Sequence, residues 1–465
     1  MGTKWIIFII LAMSLATRFV FFGQPNQVVF DEVHFGKFVS GYYTGEYFFD
    51  IHPPLGKLLI AGFAKFFDFR PEFSFNQIGD NFPDNKYMAL RFLPSLAGTL
   101  LPIVIFLLLL EFGLSPLAAF AGGIFVVFEN AILVQSRFIL MDAFLLLFGF
   151  LSLLFYLKNR NCAASGVSSS LKNLILMGIF GGLSVSIKWT GAAFLALPAI
   201  IETIVILRTR KIRDIVNLAV FFAIVPLAIY FSVFALHFSL LTKSGTGDAF
   251  MTPAFQKTLV GSIYAENSNI KRLNLFEKFT ELNVQMYESN QRLTSSHPYG
   301  SQWYSWPFMT RPIYYWVKEN ARIYFLGNPV VWWASAIAVL LLIFNLTIYN
   351  LQKLKNYLKI KSLKIDWKLE IGNWKLNFLL GGFFLNMLPF IGIKRVMFLY
   401  HYLAGLIFAI IILVYLIDQS KQKKKIFFAL IALSAVSFVY FSPLSYGLNL
   451  SPEQYRQRLW LKTWE

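Results

Sequence analysis

Two adjacent carboxylates, Asp31 and Glu32, stand in the polar segment after the first long apolar run, and His34 follows them. A carboxylate near a cationic site can take the proton of a hydroxyl nucleophile while the cations stabilise a departing phosphate. Asp31 is also well placed to cap a helix. His52, just before two prolines, could donate to a phosphate or sugar, or be an ordinary hydrogen-bonded histidine. The residues leave these alternatives open.

Six cations lie where the membrane topology inferred below disfavours positive charge. Most of them begin or end apolar runs at the outer face: Lys57, Arg91, Arg137, Lys188, Lys394 and Arg395. Each could extend to lipid headgroups or pair with an acid such as Glu129 or Asp142. As a group they indicate a pocket for an anionic headgroup, for which the phosphate of a lipid carrier is the simplest candidate.

The composition shows what kind of elements must position these residues. Of 465 residues, 57% are hydrophobic and only 14% are charged, against roughly 25% charged in a soluble domain. The chain is therefore expected to be a membrane protein. Its one cysteine, Cys162, excludes an internal disulfide and a zinc finger.

Eleven apolar runs predict transmembrane helices, since a span needs about 20 residues. The first could be a signal peptide, but its length and the runs that follow favour a span. The predicted spans are residues 5–22, 91–110, 115–129, 138–157, 171–187, 191–207, 216–240, 329–349, 374–393, 396–417 and 426–443.

Loop charges predict the orientation, because Lys and Arg in short loops stay in the cytoplasm. An N-terminus inside places four cationic loops inside, near residues 158–160, 208–213, 353–368 and 421–425. Segments 24–87, 241–327 and 444–465 then lie outside. The net charge of +18 is thus mostly a topology signal, and nucleic-acid binding is unnecessary. We expect one membrane domain over residues 1–465.

The outer segments carry further patterns. Helical spacing of apolar residues predicts interfacial helices at 54–66 and 276–286. The aromatic stretch 295–316 is typical of a belt at the membrane interface.

Seven motifs resemble the protein O-mannosyltransferases over essentially the whole chain. They are FDEVHFGKF at 30–38, FFDIHPPLGKL at 48–58, YMALRFLP at 87–94, QSRFILMD at 135–142, SIKWTG at 186–191, HPYGSQWYSWP at 297–307 and FLYHY at 398–402.

The resemblance implies a GT-C type glycosyltransferase of the all-α polytopic class. Such an enzyme moves mannose from a polyprenyl-phosphate carrier to Ser or Thr of an exported protein, with inversion at the sugar. Asp31 matches the family's essential loop aspartate, the base for the acceptor hydroxyl, and Glu32 its acidic neighbour. The resemblance also implies that Arg91 and Arg137 lie near the carrier phosphate and that His52 and Lys57 belong to the family's Pro-Pro motif. Together with the outer cations and other motif residues, the candidate substrate-binding residues are His52, Lys57, Arg91, Arg137, Asp142, Lys188, His297, Trp303, Arg395 and His401.

Eukaryotic members carry a large β-trefoil domain in the second outer loop, whereas 241–327 is short, so the chain resembles the bacterial members. We therefore expect a bacterial-type cytoplasmic membrane, with the site and the C-terminus on the outer face. The expected partners are the lipid-linked donor, membrane lipids and an exported polypeptide, with coupling to the secretion machinery as an option.

No metal site or cofactor is expected, although a divalent ion is not excluded. Two other functions stay open. A related transferase acting on a lipid acceptor would use the same base and cations. A transporter would be expected to show ionisable residues at mid-span or broken helices in pairs, whereas the clear charges here cluster at one face.

Overall fold

The computed structural model describes residues 2–164, 170–292, 294, 296–357 and 374–465. The first half of the chain forms α1 Thr3–Phe19, α2 Glu32–Thr44, α3 Leu55–Ala64, α4 Tyr87–Glu111, α5 Pro116–Val127, α6 Asn130–Arg137, α7 Asp142–Ala164, α8 Leu171–Ile187 and α9 Ala192–Thr209. The second half forms α10 Ile212–Ala219, α11 Val225–Leu240, α12 Pro253–Gln256, α13 Leu275–Arg292, α14 Pro329–Tyr357, α15 Trp374–Leu385, α16 Leu403–Asp418, α17 Lys423–Tyr446 and α18 Pro452–Arg456.

Each predicted span has a helical counterpart. In the described part of the chain, eight helical segments are long and apolar enough to cross a membrane, or nine if α5 and α6 form one span bent by 56°. The first and fifth predicted spans correspond to α1 and α8, of 17 residues each. At 1.5 Å per residue, each is about 25 Å long, slightly short of the roughly 30 Å hydrocarbon core. The polytopic helical fold is confirmed, and the cationic loop predicted near 353–368 lies largely outside the described residues.

The helices differ in how much of their surface they bury. Nearly every residue of α16 is buried, and α4 and α7 are also mostly buried, so these three helices form the centre of the bundle. By contrast, only 28% of the residues in the most apolar stretches of α9, α11 and α17 are buried, as expected for helices that face lipid.

The long connections between helices gather at one end of the bundle, which we call the loop end. The Phe19 ring at the end of α1 lies 5.7 Å from that of Phe92 at the start of α4, so both termini belong to this end. The predicted interfacial helices form as α3 and α13. Most of α3 is buried, because it packs on α2 and α4 rather than lying on a lipid surface.

A two-stranded antiparallel hairpin, β1 Ile313–Lys318 and β2 Ala321–Phe325, follows the aromatic stretch at the loop end. The pairing runs from Ile313 opposite Phe325 to Lys318 opposite Ala321, with a bulge between Tyr314 and Trp316. The sequence-based interpretation of this stretch as an interfacial belt missed the hairpin, because aromatic residues are enriched both in strands and at interfaces.

Candidate active site

Asp31 stands directly before α2, next to Phe30, whose backbone is left-handed (φ 48°). The Asp31 carboxylate makes no capping hydrogen bond to the first turn of α2, so it does not act as a helix cap here. Desolvation raises the pKa of Asp31 to about 7, and the positive charge of Lys188 opposes this rise. A carboxyl group that titrates near neutrality is suited to accept a proton as a general base.

Glu32 lies in a sealed cluster with Arg91. The Nε and Nη2 atoms of Arg91 donate to the two carboxylate oxygens of Glu32, each over 2.7 Å. The same carboxylate accepts the backbone N–H groups of Val29 and Ile139 at 2.9 and 3.0 Å. Arg91 also donates to three carbonyls within residues 23–27. Because neither side chain is more than 1% exposed, this pair fixes the loop that carries Asp31.

Arg137, at the end of α6, is also buried. Its Nη2 donates to the Phe21 carbonyl at 2.6 Å, and its guanidinium lies 4.5 Å from the centre of the Tyr446 ring. Neither Arg91 nor Arg137 lines the cavity described next.

A cavity of about 470 Å³ lies between α7, α9, α15 and α16. Its walls are mostly apolar and include Leu145, Phe194, Leu385 and Ala404. Charged and polar side chains line it at the loop end, namely His52, Asp142, Lys188, Asn290, Arg395 and His401. An apolar cavity with a polar, cationic rim can hold an amphiphile that has an anionic head.

The cation Lys188 is held at this rim by Asp142. Lys188 Nζ lies 2.7 Å from Asp142 Oδ1, and the side chains are 12% and 8% exposed. Gln135 donates to the other carboxylate oxygen of Asp142 at 2.6 Å, and the Tyr315 hydroxyl donates to Gln135 at 2.5 Å. The pair is therefore oriented from behind while Lys188 faces the cavity.

Arg395 and His401 complete the rim. Arg395 Nη1 donates to Asn290 of α13, and its Nε donates to the Val396 carbonyl at 3.3 Å. His401 Nδ1 lies 2.9 Å from the Phe398 carbonyl. Within the described residues its Nε2 has no hydrogen-bond partner. Both side chains thus keep polar atoms available to a ligand.

His52 lines the cavity, but Lys57 lies behind it. Lys57 pairs with Asp50 and donates to the carbonyls of His52 and Pro53 at 3.0 and 3.2 Å. Desolvation lowers the pKa of His52 well below its ordinary value, and the charges of Lys188 and Lys57 lower it further. His52 is therefore a neutral imidazole at pH 7, able to donate one hydrogen bond and accept another.

His297 and Trp303 are not among the lining residues of the cavity. His297 is exposed, and Trp303 packs edge-on against Tyr304. The aromatic motif reaches the site through another residue, because Trp306 stacks on the His401 ring at 5.8 Å between ring centres.

Several residues around the site were not singled out from the sequence. Asp50 and Tyr400 lie in the same motifs as the predicted site residues His52 and His401, so the motifs could have indicated them. Asn290 had no such signal, because only the folding of α13 across the cavity brings it to Arg395. In the described part of the chain no group of three or more His, Cys, Asp or Glu could hold a metal ion. Metal-independent chemistry stays a prediction.

Two family models match most of the chain. Residues 8–242 match the model described as dolichyl-phosphate-mannose-protein mannosyltransferase. Residues 275–464 match the C-terminal four-transmembrane region of protein O-mannosyltransferase.

Similarity to curated proteins is strongest over part of the chain. Dolichyl-phosphate-mannose-protein mannosyltransferase 4 of Candida albicans is 38% identical over 285 residues, which cover 58% of this chain and 38% of that protein. Mannosyltransferase 1 of Saccharomyces cerevisiae is 24% identical over 665 residues, covering 95% of this chain and 80% of that protein. The chain spans between 29% and 38% of the length of four curated relatives that it matches, including the C. albicans protein.

Solved structures confirm the GT-C fold. A chain of the S. cerevisiae protein O-mannosyltransferase complex bound to the sugar donor superimposes with a TM-score of 0.87 at 22% identity, covering 99% of this chain and 92% of that one. ArnT from Cupriavidus metallidurans bound to undecaprenyl phosphate gives 0.54 at 14% identity, covering 96% and 66%.

Proposed function

The chain belongs to the dolichyl-phosphate-mannose-protein mannosyltransferase family, and from this premise we propose that it transfers mannose from a polyprenyl-phosphate carrier to Ser or Thr of exported proteins. The observation that carries the proposal to particular residues is the cation-rimmed apolar cavity near Asp31. The cavity has an apolar wall and a cationic rim. Asp31 is not among its lining residues, but it lies close enough to Lys188 and Arg395 for their charges to lower its pKa.

In this proposal Lys188 and Arg395 bind the carrier phosphate and the apolar walls hold the first part of the polyprenyl chain. Both cations line the cavity, and each is anchored by a polar partner, Asp142 or Asn290. His52 and His401 face the same space and contact the sugar or the phosphate as hydrogen-bond partners.

The reaction is a single displacement. Asp31 takes the proton of the acceptor hydroxyl as its oxygen attacks the anomeric carbon. The bond from that carbon to the phosphate oxygen breaks, and the phosphate leaves with the bonding electrons beside Lys188 and Arg395. Attack opposite to the leaving group inverts the anomeric centre. The base and the cations divide the work, since one side gains a proton while the other receives negative charge.

The other predicted site residues take supporting roles in this proposal. We assign Glu32 and Arg91 to holding the Asp31 loop, and Lys57 to positioning His52, because each is buried with internal partners. Arg137 anchors α6 to Phe21. His297 and Trp303 are assigned to the acceptor side, since their motif lies outside the cavity but contacts it through Trp306.

The loop charges support an orientation with the loop end outside the cytoplasmic membrane and the N-terminus inside. An acceptor would then meet the site as an exported polypeptide. Cysteine labelling from outside tests this orientation. Thr280 on α13 should be accessible, and labelling of this position only from the cytoplasm would contradict it.

The function is tested by incubating the purified protein with polyprenyl-phosphate-mannose and a Ser/Thr peptide. We expect mannosylated peptide with the anomeric configuration opposite to that of the donor. A peptide with Ala in place of Ser and Thr is the matched control. If mannose instead reaches a lipid fraction, or no transfer occurs with any acceptor, the proposal is wrong.

A further inference from the structure

Tyr315 occupies the bulge in β1, between the paired residues Tyr314 and Trp316. A bulge turns one side chain and its backbone out of the regular ladder, and such distortions are common beside active sites. The Tyr315 side chain is buried, and its contacts run in two directions.

In one direction the Tyr315 hydroxyl leads to the cavity cation. It donates to Gln135 Oε1 at 2.5 Å, Gln135 Nε2 donates to Asp142 at 2.6 Å, and Asp142 pairs with Lys188 at 2.7 Å. A glutamine amide has one accepting and one donating end. A hydroxyl that donates to the oxygen forces the nitrogen towards Asp142, whereas the reverse orientation would place two acceptors together. Burial raises the pKa of Tyr315 well above its ordinary value, so the hydroxyl keeps the proton it donates.

In the other direction Tyr315 leads to the base. Its carbonyl accepts the Phe30 N–H at 3.2 Å, and the two rings stack with centres 3.9 Å apart and planes 6° apart. Phe30 has a left-handed backbone, which is unfavourable for a bulky residue unless its surroundings hold it. Asp31 is the next residue, so the stacking of the Phe30 and Tyr315 rings helps to fix the backbone position from which the Asp31 side chain extends.

We propose that Tyr315 is a positioning residue that holds the base loop and the phosphate-binding lysine in one fixed arrangement. Its ring and carbonyl set Asp31 through Phe30, and its hydroxyl sets Lys188 through Gln135 and Asp142. This inference rests on the proposed function for the roles of Asp31 and Lys188. Attack and departure occur on opposite sides of one carbon, so a residue connected to both sides can control their alignment.

The two connections can be broken separately in the full-length protein. Tyr315→Phe removes the hydroxyl but keeps the ring and the carbonyl. It should weaken the affinity for polyprenyl monophosphate, the carrier product, by about tenfold, which is the effect of one misplaced charge-assisted contact. When its transfer rate is measured against pH, the acidic limb of the profile should lie at the same pH as in the wild type. Phe30→Leu should slow transfer by about tenfold and leave polyprenyl monophosphate affinity unchanged.

Gln135→Met tests the relay from its other member and keeps the side-chain length. It should reproduce the loss of affinity in Tyr315→Phe, and the double variant should bind no more weakly than either single variant. Tyr324→Phe is the matched control, because it removes a tyrosine hydroxyl from the neighbouring strand whose hydrogen-bond partner, among the residues that the structure describes, is Tyr455 alone. A purely structural role would lower the folded fraction without changing the affinity of the folded protein.

The outcomes separate this inference from the proposed function. If the wild type mannosylates the peptide and Tyr315→Phe binds polyprenyl monophosphate as tightly as the wild type, the positioning role is wrong and the function stands. Additive losses in the double variant would also overturn the relay. If the wild type fails to mannosylate the peptide but Tyr315→Phe still weakens binding, the function is wrong and the link to Lys188 stands.

Discussion

Two ion pairs of the loop end, one buried and one at the rim of the cavity, use similar residues in different ways. In the Glu32–Arg91 pair both carboxylate oxygens are bound twice, by Arg91 and by backbone N–H groups, and the arginine donors are consumed by carbonyls. In the Asp142–Lys188 pair only the carboxylate is held from behind, and the lysine lines an open cavity. A cation whose donors are all used supports structure, whereas one anchored at a single point can still bind an anion.

Asp31 and Glu32 show the same division between neighbours in the chain. Glu32 enters the sealed cluster, and Asp31 lies near Lys188 and Arg395 with a raised pKa. The immobilised glutamate and the strained Phe30 fix the aspartate from both sides. Adjacent carboxylates therefore need not share one chemical role.

The largest effect is expected from Asp31→Asn, which keeps the size of the side chain but removes the proton acceptor. Transfer should fall by about 10²–10⁴-fold, as for a lost general base, with carrier affinity nearly unchanged. The measurement is the transfer rate to a Ser/Thr peptide alongside carrier binding. Asp68→Asn, at an exposed position, is the control. Near-normal transfer by the Asp31→Asn variant would remove Asp31 from the mechanism.

Arg91→Met should break the sealed pair and leave Glu32 buried without its partner. We expect a loss of about 3–5 kcal/mol in the free energy of unfolding, because an uncompensated buried charge is costly. Thermal unfolding of the purified protein measures this loss. Arg70→Met, at an exposed pair, should leave stability unchanged. A stable Arg91 variant with weakened carrier binding would reverse the roles assigned to the two pairs.

Lys188→Met should chiefly weaken carrier binding. It should cost less stability than Arg91→Met, because Gln135 still donates to the Asp142 carboxylate. Loss of one charge-assisted phosphate contact corresponds to about 1.5–3 kcal/mol, or roughly tenfold to a hundredfold in affinity. Arg395→Met should have a similar effect. Binding of polyprenyl phosphate is the measurement. Unchanged affinity in both variants would show that the cavity rim does not hold the phosphate.

The smallest effect is a displaced pH profile. Asp31 has a pKa raised to about 7, so it is protonated and inactive as a base below that pH, and transfer should fall about tenfold per unit as the pH drops. The charge of Lys188 lowers this pKa. In Lys188→Met the acidic limb should therefore move to higher pH. An acidic limb that stays at the same pH in Lys188→Met would show that the charge of Lys188 does not affect the pKa of Asp31.

Much of the fold follows from sequence because hydrophobic length is a local property. Every predicted span has a helix, and helices also form at 54–66 and 276–286, as α3 and α13, although α3 is packed inside the protein rather than at the interface. The hairpin was missed because its aromatic residues fit two environments. The short span predicted at 115–129 is extended by α6 after a bend at Glu129, whose carboxylate accepts the N–H groups of Ala131 and Asn328. A bond to a residue so distant in sequence leaves no local pattern.

The candidate residues of the site could be predicted from the sequence, but their spatial arrangement could not. Topology grouped six cations at one face, but the same charge pattern describes Arg91, which is sealed, and Lys188, which lines the cavity. The difference depends on contacts over tens of residues, such as Arg91 with Glu32 and Gln135 with Tyr315. Which of these cations has all its hydrogen-bond donors occupied by protein groups therefore depends on the folded structure.

The apolar wall of the cavity determines which measure of donor concentration controls binding. Leu145, Phe194, Leu385 and Ala404 belong to helices of the membrane bundle, so a bound polyprenyl chain would lie among side chains as apolar as the bilayer interior. Moving the chain from lipid to cavity then changes little hydrophobic free energy, and discrimination rests on the head. Occupancy depends on the surface density of the carrier among bilayer lipids. Saturation curves from vesicles of different lipid content should coincide when plotted against mole fraction of carrier and diverge when plotted against its concentration in the tube.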